Sequence, residues 1–389
     1  MPWRRMEPME ERVHFISDYL KDEYSLSNLC KAYGISRKTG YKWINRFESI
    51  GLEGLKDVSR RPHNNPQGIP LRVKNEIIDL RKRYGWGPKK LLALLENKHA
   101  EWDLPARSTV CDILKREGLV KKKQLRRQIP PRLRPLAHAG HPNAVWTADY
   151  KGQFKTGNGK YCFPLTVADA YSRYLFECRG LSGIKTTDTK KVFTQLFNEY
   201  GLPERIRTDN GVPFATTSAS GLSHLAVWWI RLGIFPERID VGKPQQNGRH
   251  ERMHRTLKAA TAKPPATTMM NQQVRFDNFR KQYNEIRPHE ALGFKTPASI
   301  YTPSLRRMPS KILPIDYPGH YEIKYVNYNG CIYWRNEQVY VGYLLKEDYI
   351  GLNEIDDGLW NIYFGLVLIG TFSEITMKID FRPTNLKKV

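Results

Sequence analysis

The spacing of apolar residues changes character twice along the chain. From residue 10 to about 118 the spacing is helical. Leu29, Cys30 and Ala32 mark a short helix around residues 27–33. Gly34 and Ile35 make a turn, and Ser36 is a suitable N-cap for a helix reaching about Phe47, with Tyr41, Trp43, Ile44 and Phe47 available for packing. Val73, Ile77, Leu80 and Tyr84 then recur at helical intervals. Gly85-Trp86-Gly87-Pro88 breaks that run, Pro88 suits the first turn of the next helix, and Ser108 is placed to cap a last one carrying Val110, Ile113 and Leu114.

Beyond Asn143 the period falls to two, and helices alternate with strands. Residues 145–150, 161–168, 173–178 and 205–208 read as strands, with a further short one at 238–241. Helices are expected at 187–200, 223–232, 248–262 and 271–286, which makes this region an α/β layer fold. Four prolines in 302–319 mark a boundary. Residues 321–374 are dense in Tyr, Ile, Val and Trp, with hairpin signals at Asn329-Gly330 and Asp357-Gly358, and read as a small antiparallel β-barrel. The expected organisation is multidomain. It has a helix-turn-helix domain (1–62), a second helical, winged-helix-like domain (71–120), a basic linker (121–139), a central core (140–301), a linker (302–319) and the barrel (320–376).

Charge adds a partner to this picture. The 389 residues carry 63 Lys and Arg against 39 Asp and Glu, a net +24. Residues 1–135 hold 30 basic and 16 acidic side chains, so about a third of the chain supplies +14. Such an excess points to a polyanion, nucleic acid first, with a ribosomal or merely soluble basic protein as the plainer alternative. On the helix after Ser36, Arg37, Lys38, Lys42 and Arg46 face outward; a helix, a glycine turn and a basic helix form the helix-turn-helix pattern. Lys121, Lys122, Lys123, Arg126 and Arg127 lie in a run of seven basic and no acidic residues, where Pro130, Pro131 and Pro135 oppose helix; an extended, phosphate-tracking linker is expected. The five cysteines are scattered and form no CxxC, which argues against a cysteine zinc site and suits a reducing cytoplasm. No stretch approaches the roughly 18 apolar residues of a membrane span, and no export signal is expected.

Three acidic residues stand in distinctive settings: Asp149 in Trp-Thr-Ala-Asp-Tyr, Asp209 in Arg-Thr-Asp-Asn-Gly, and Glu251 in Asn-Gly-Arg-His-Glu-Arg. Asp149 shares a strand face with Val145 and Thr147. Asp209 ends a strand at the Asn210-Gly211 turn. Glu251 opens a basic helix, where Arg255 (i+4) and Lys258 (i+7) share its stripe and could grip DNA phosphates, with His254 (i+3) beside them to meet an attacking or leaving oxygen. Converging carboxylates suit a hard cation such as Mg²⁺. Two such ions about 3.5–4 Å apart promote in-line phosphodiester displacement; Asp149 would bridge them, and Asp209 and Glu251 would each complete one set. Asp169, before Tyr171-Ser172-Arg173, is better suited to capping a turn than to holding metal.

These stretches resemble the catalytic core of the DDE transposases of bacterial insertion sequences, the branch related to retroviral integrases. The matching residues are Trp146-Thr147-Ala148-Asp149, Asp169-Ala170-Tyr171-Ser172-Arg173, Thr208-Asp209-Asn210-Gly211, the segment 243–252 ending in His250-Glu251-Arg252, Arg287-Pro288-His289-Glu290-Ala291-Leu292 and Thr296-Pro297. The resemblance implies an RNase H-like fold for the core. It also implies Asp149, Asp209 and Glu251 as the acidic triad with two Mg²⁺ (Mn²⁺ able to substitute), double-stranded DNA as partner, both element ends and target, and an oligomer, at least a dimer. The expected place of work is the bacterial cytoplasm, at the nucleoid. Forty-one residues separate Asp209 from Glu251, more than is usual in that family, and the His/Cys zinc module of retroviral integrases has no counterpart here. A Mg²⁺-dependent nuclease without strand transfer and a DNA-binding regulator with an inactive core remain the competing readings.

Overall fold

A computed structural model describes residues 8–57, 68–120, 139–150, 152–216, 221–239 and 248–381. The chain divides into two compact units, residues 1–70 and 71–389. The basic linker at 121–138 falls outside the described residues, and with it Lys121, Lys122, Lys123, Arg126 and Arg127.

The described residues of the first unit form three α-helices, α1 (Pro8–Leu20), α2 (Leu26–Ala32) and α3 (Arg37–Ile50), followed by a 3-10 turn at Gly51–Leu55. Serine caps open the last two: Ser25 accepts from the Asn28 amide and Ser36 from the Thr39 amide, each satisfying a backbone donor with no partner in the helix. Phe15, Ile16, Leu29, Cys30, Trp43, Ile44 and Leu55 form the core. Gly40 lets α3 approach α2 closely, since a Cβ there would stand 2.6 Å from Cys30 Sγ. Tyr41, expected to pack, is 56% exposed: it lies about 200° around the helix from Trp43, on the outer side.

The second unit begins with α4 (Leu71–Tyr84), α5 (Pro88–Lys98) and α6 (Arg107–Arg116), closed over Val73, Ile77, Leu91, Leu95, Val110 and Leu114. Pro88 opens α5 as expected. Ser108 does not cap α6, which starts two residues earlier than such a cap requires, at Arg107 after Ala106, and without a side-chain cap.

The central sheet is built from β1 (Val145–Tyr150), β2 (Phe154–Lys155), β3 (Tyr161–Asp169), β4 (Leu175–Leu181), β5 (Arg205–Thr208) and β6 (Phe235–Arg238). β3 runs antiparallel between β4 and β1, while β1, β5 and β6 are parallel, and the short β2 pairs with the start of β3. β4 and β6 are each displaced from the sequence expectation. Arg173 takes a positive φ and uses up the turn, so β4 starts at Leu175. Gly233, also at positive φ, ends the preceding helix early, so β6 starts at Phe235 rather than near 238.

Period-two alternation divides the residues of β1 between two faces. Trp146 and Ala148 enter a core with Phe193 and Phe197 of α7 (Thr186–Tyr200) and Trp228 and Trp229 of α8 (His224–Arg231). The opposite face is covered by α9 (Gly248–Thr261) and α10 (Met269–Lys281), through Met253, Leu257, Phe276 and Phe279.

The C-terminal region corrects the barrel. β7 (Glu322–Tyr325) and β10–β13 (Tyr349–Asp356, Leu359–Phe364, Val367–Ser373, Lys378–Phe381) make an open antiparallel sheet in the order β13-β12-β11-β10-β7, and β8 (Cys331–Trp334) forms a two-stranded ladder with β9 (Glu337–Tyr340) among the described residues. Ile332, Trp334 and Val339 of that hairpin bury themselves against Ile350, Ile362 and Phe372 of the sheet. The apolar face is thus covered by packing a second layer on it rather than by closing the sheet on itself.

Candidate active site

Asp149 and Asp209 are brought side by side by strand register. Ala148 pairs with Thr208 in the parallel β1–β5 ladder, and each aspartate is the next residue along its chain. Both are partly buried. The Asp209 carboxylate accepts from the Gly211 amide at 3.2 Å, and burial raises its pKa above the usual carboxylate value. The turn beyond it is tied down by Asn210 Nδ2 donating to the Ile239 carbonyl at 2.8 Å. A Cβ at Gly211 would sit 3.0 Å from Asp209 Oδ2, so this glycine leaves room for the carboxylate.

The third acid arrives on α9. His250 and His254, one turn apart, point into the sheet and are each 3% exposed. Thr166, the cross-strand partner of Asp149, receives both: its Oγ1 lies 2.6 Å from His250 Nε2 and 2.6 Å from His254 Nε2. His250 Nδ1 is also 2.9 Å from Thr147 Oγ1, and His254 Nδ1 is 3.5 Å from Asp149 Oδ2. Desolvation lowers the His250 pKa to about 3, so its ring is neutral. This clamp fixes the first turn of α9 over β1 and β3. Glu251 lies between the two histidines in sequence and emerges exposed on the flank of the helix, with Arg255 and Lys258 exposed on the same stripe. The helix N-terminus favours a carboxylate at this position.

His254 was expected to face DNA. The structure turns its ring inward, against Asp149 and Thr166. Asp169 caps a turn, as its sequence setting suggested: its carboxylate accepts from the amides of Asn143 and Ser172 and from the Ser172 hydroxyl. Sequence reading missed His250, Thr147 and Thr166. The legible sign was the interval of four between His250 and His254, in phase with the apolar Met253 and Leu257.

In the first unit, Arg37, Lys38 and Lys42 are exposed and Arg46 is half-buried. Lys42 and Arg46 lie over the Trp43 ring at 4.6 and 5.2 Å, and Arg12 covers it at 4.1 Å.

Two segments match the integrase core domain family, residues 139–244 and 232–297. Residues 139–297 thus carry an integrase core domain. Residues 11–63 match a helix-turn-helix domain and 39–114 a homeodomain-like domain. Among relatives, the chain is 25% identical over 227 residues to an uncharacterized 31.7 kDa protein of insertion element IS407 from Burkholderia multivorans, covering 58% of this chain and 78% of that protein. It is 25% identical over 203 residues to a 39.2 kDa protein of insertion element IS476 from Xanthomonas euvesicatoria, covering 52% and 56%. The HTLV-2 integrase catalytic core domain, solved in complex with magnesium, aligns at 18% identity with a TM-score of 0.34, over 42% of this chain and all of that one. Among the described residues, no helix of this chain is long and apolar enough to cross a membrane.

Proposed function

We propose that this protein is a DNA transposase that hydrolyses the phosphodiester at each 3′ end of a DNA element and joins those ends to target DNA. The observation carrying this reading is the Ala148–Thr208 register, which sets Asp149 and Asp209 at adjacent strand ends, together with the clamp that anchors the Glu251 helix to the Asp149 strand.

The donor set fits Mg²⁺. Asp149 and Asp209 offer hard oxygen donors, and the raised pKa of Asp209 marks a desolvated carboxylate whose charged form a cation would favour. Asp149, Asp209 and Glu251 would hold the ions, with Mn²⁺ able to substitute. Ions held there would activate the attacking oxygen and neutralise the leaving one.

In the first step water forms a bond to phosphorus as the P–O3′ bond at the element's end breaks, releasing a 3′ hydroxyl. In the second, that hydroxyl attacks a target phosphodiester; a new P–O3′ bond forms, the target's own P–O3′ bond breaks, and the number of phosphodiesters is unchanged. Asp149 and Asp209 hold their positions because strands fix them. Arg255 and Lys258 grip phosphates beside the reacting one, while Arg37, Lys38, Lys42 and Arg46 bind or read the element's end. Handling two ends together calls for an oligomer, at least a dimer.

The test incubates full-length protein with Mg²⁺, labelled duplex DNA from the sequences flanking the gene, and a supercoiled plasmid. Labelled ends should appear covalently joined to the plasmid. Asp149→Asn and Glu251→Gln should abolish joining while end binding persists. Ends cut but never joined would replace this reading with a nuclease; binding without either product would replace it with a regulator.

A further inference from the structure

We propose that Asp149, His250 and His254 form a binding site for a borderline transition-metal ion of the zinc class, distinct in its ligands from the carboxylate set and overlapping it at Asp149.

Three observations lead there. A ring nitrogen from each histidine and a carboxylate oxygen of Asp149 all lie within 4.8 Å of one another. Two imidazoles four residues apart on one helix face form the arrangement by which helices hold zinc. The distance from His254 Nδ1 to Asp149 Oδ2 is 3.5 Å, against the separation of about 3.3–3.4 Å expected between two ligands roughly 2.0–2.1 Å from one tetrahedral ion. Two nitrogens and one oxygen favour zinc, cobalt or nickel over magnesium.

The neighbouring hydroxyl is placed to support such a site. Thr166 Oγ1 lies 2.6 Å from His254 Nε2. With an ion on His254 Nδ1, the Nε2–H would donate to Thr166, the outer hydrogen bond that metal-bound histidines usually make.

Asp149 cannot serve both sites fully, so zinc should oppose magnesium. This last consequence rests on the proposed function; metal binding itself does not.

The test is made on the metal-free full-length protein. Co²⁺ titration should give the visible absorption of a tetrahedral site, displaced by one equivalent of Zn²⁺ and insensitive to Mg²⁺ at equal concentration. His250→Ala and His254→Ala should each weaken Zn²⁺ binding by more than the roughly 10–100-fold that follows loss of an outer-shell partner. X-ray absorption at the zinc edge of the unaltered protein needs no variant: it should show nitrogen and oxygen neighbours at about 2.0–2.1 Å with imidazole scattering. A sulfur shell, absent imidazole scattering, or Zn²⁺ affinity equal in the wild type and both folded variants would overturn the site. If zinc binds as described but DNA joining never occurs, the metal site stands and the proposed function falls.

Discussion

Asp149 and Thr166 face one another across the β1–β3 ladder, and the Thr166 hydroxyl lies 3.1 Å from the Asp149 carbonyl while also meeting both inward histidines of α9. One hydroxyl therefore couples the strand of the first acid to the helix of the third.

Replacing that hydroxyl by a methyl group separates its two roles. Thr166→Val keeps the shape but leaves buried imidazole nitrogens without their partner, a cost of about 1–3 kcal/mol for each group left unsatisfied. Thermal unfolding should shift down, and DNA joining should fall further than stability alone accounts for, because Glu251 loses its anchor. Thr166→Ser should restore both. Full joining by Thr166→Val would show that the clamp does not position the site.

Gly211 makes a narrower prediction. A Cβ there meets Asp209 Oδ2 at 3.0 Å, so the carboxylate in Gly211→Ala must swing away by a few tenths of an ångström. Its flexible end can do so with little loss of stability. The expected result is near-native unfolding with weaker apparent Mg²⁺ affinity in the joining assay. An unchanged Mg²⁺ dependence would remove Asp209 from the metal set.

Lys90 gives a prediction in pH. It sits beside Arg287 where α5 meets the 287–290 segment, and burial followed by the Arg287 charge lowers its pKa to about 8. The depressed value means that the unfolded chain binds this proton more tightly between about pH 8 and the usual 10.5, so stability rises with pH across that window. Below pH 8 the buried charge is a cost. Lys90→Met should raise the unfolding temperature at pH 7, and the gain should shrink as pH climbs past 9. A lower melting temperature at pH 7 would mean that the ammonium is favourably paired instead, with Glu290 as the opposite charge that acts on it.

The elements that sequence made legible are those whose signals are local. Ser36 capping α3, Pro88 opening α5 and the strand at 145–150 each depend on neighbours a few residues apart, and all appear where expected. The adjacency of Asp149 and Asp209 was legible only as an expectation, because strand order is a long-range property. His254 was misplaced for a different reason: helical spacing puts it near Glu251, yet its direction is decided by Met253 and Leu257, whose burial rotates both histidines inward. The barrel failed because hairpin turns specify strand pairs, not whether the first and last strands of a sheet meet.

The cations of α3 can be told apart by what they touch. Arg37 and Lys38 are exposed on the first turn, while the Arg46 guanidinium lies 5.2 Å from the Trp43 ring centroid. If α3 binds DNA, Arg37→Ala and Lys38→Ala should each weaken binding and reduce the slope of log affinity against log salt by about one, without changing stability. Arg46→Ala should do both, since it also uncovers part of Trp43. Binding isotherms at several salt concentrations, read beside unfolding curves, decide the matter. Equal slopes for wild type and Arg37→Ala would mean that this turn does not touch phosphate, and DNA contact would then have to come from another surface of the chain.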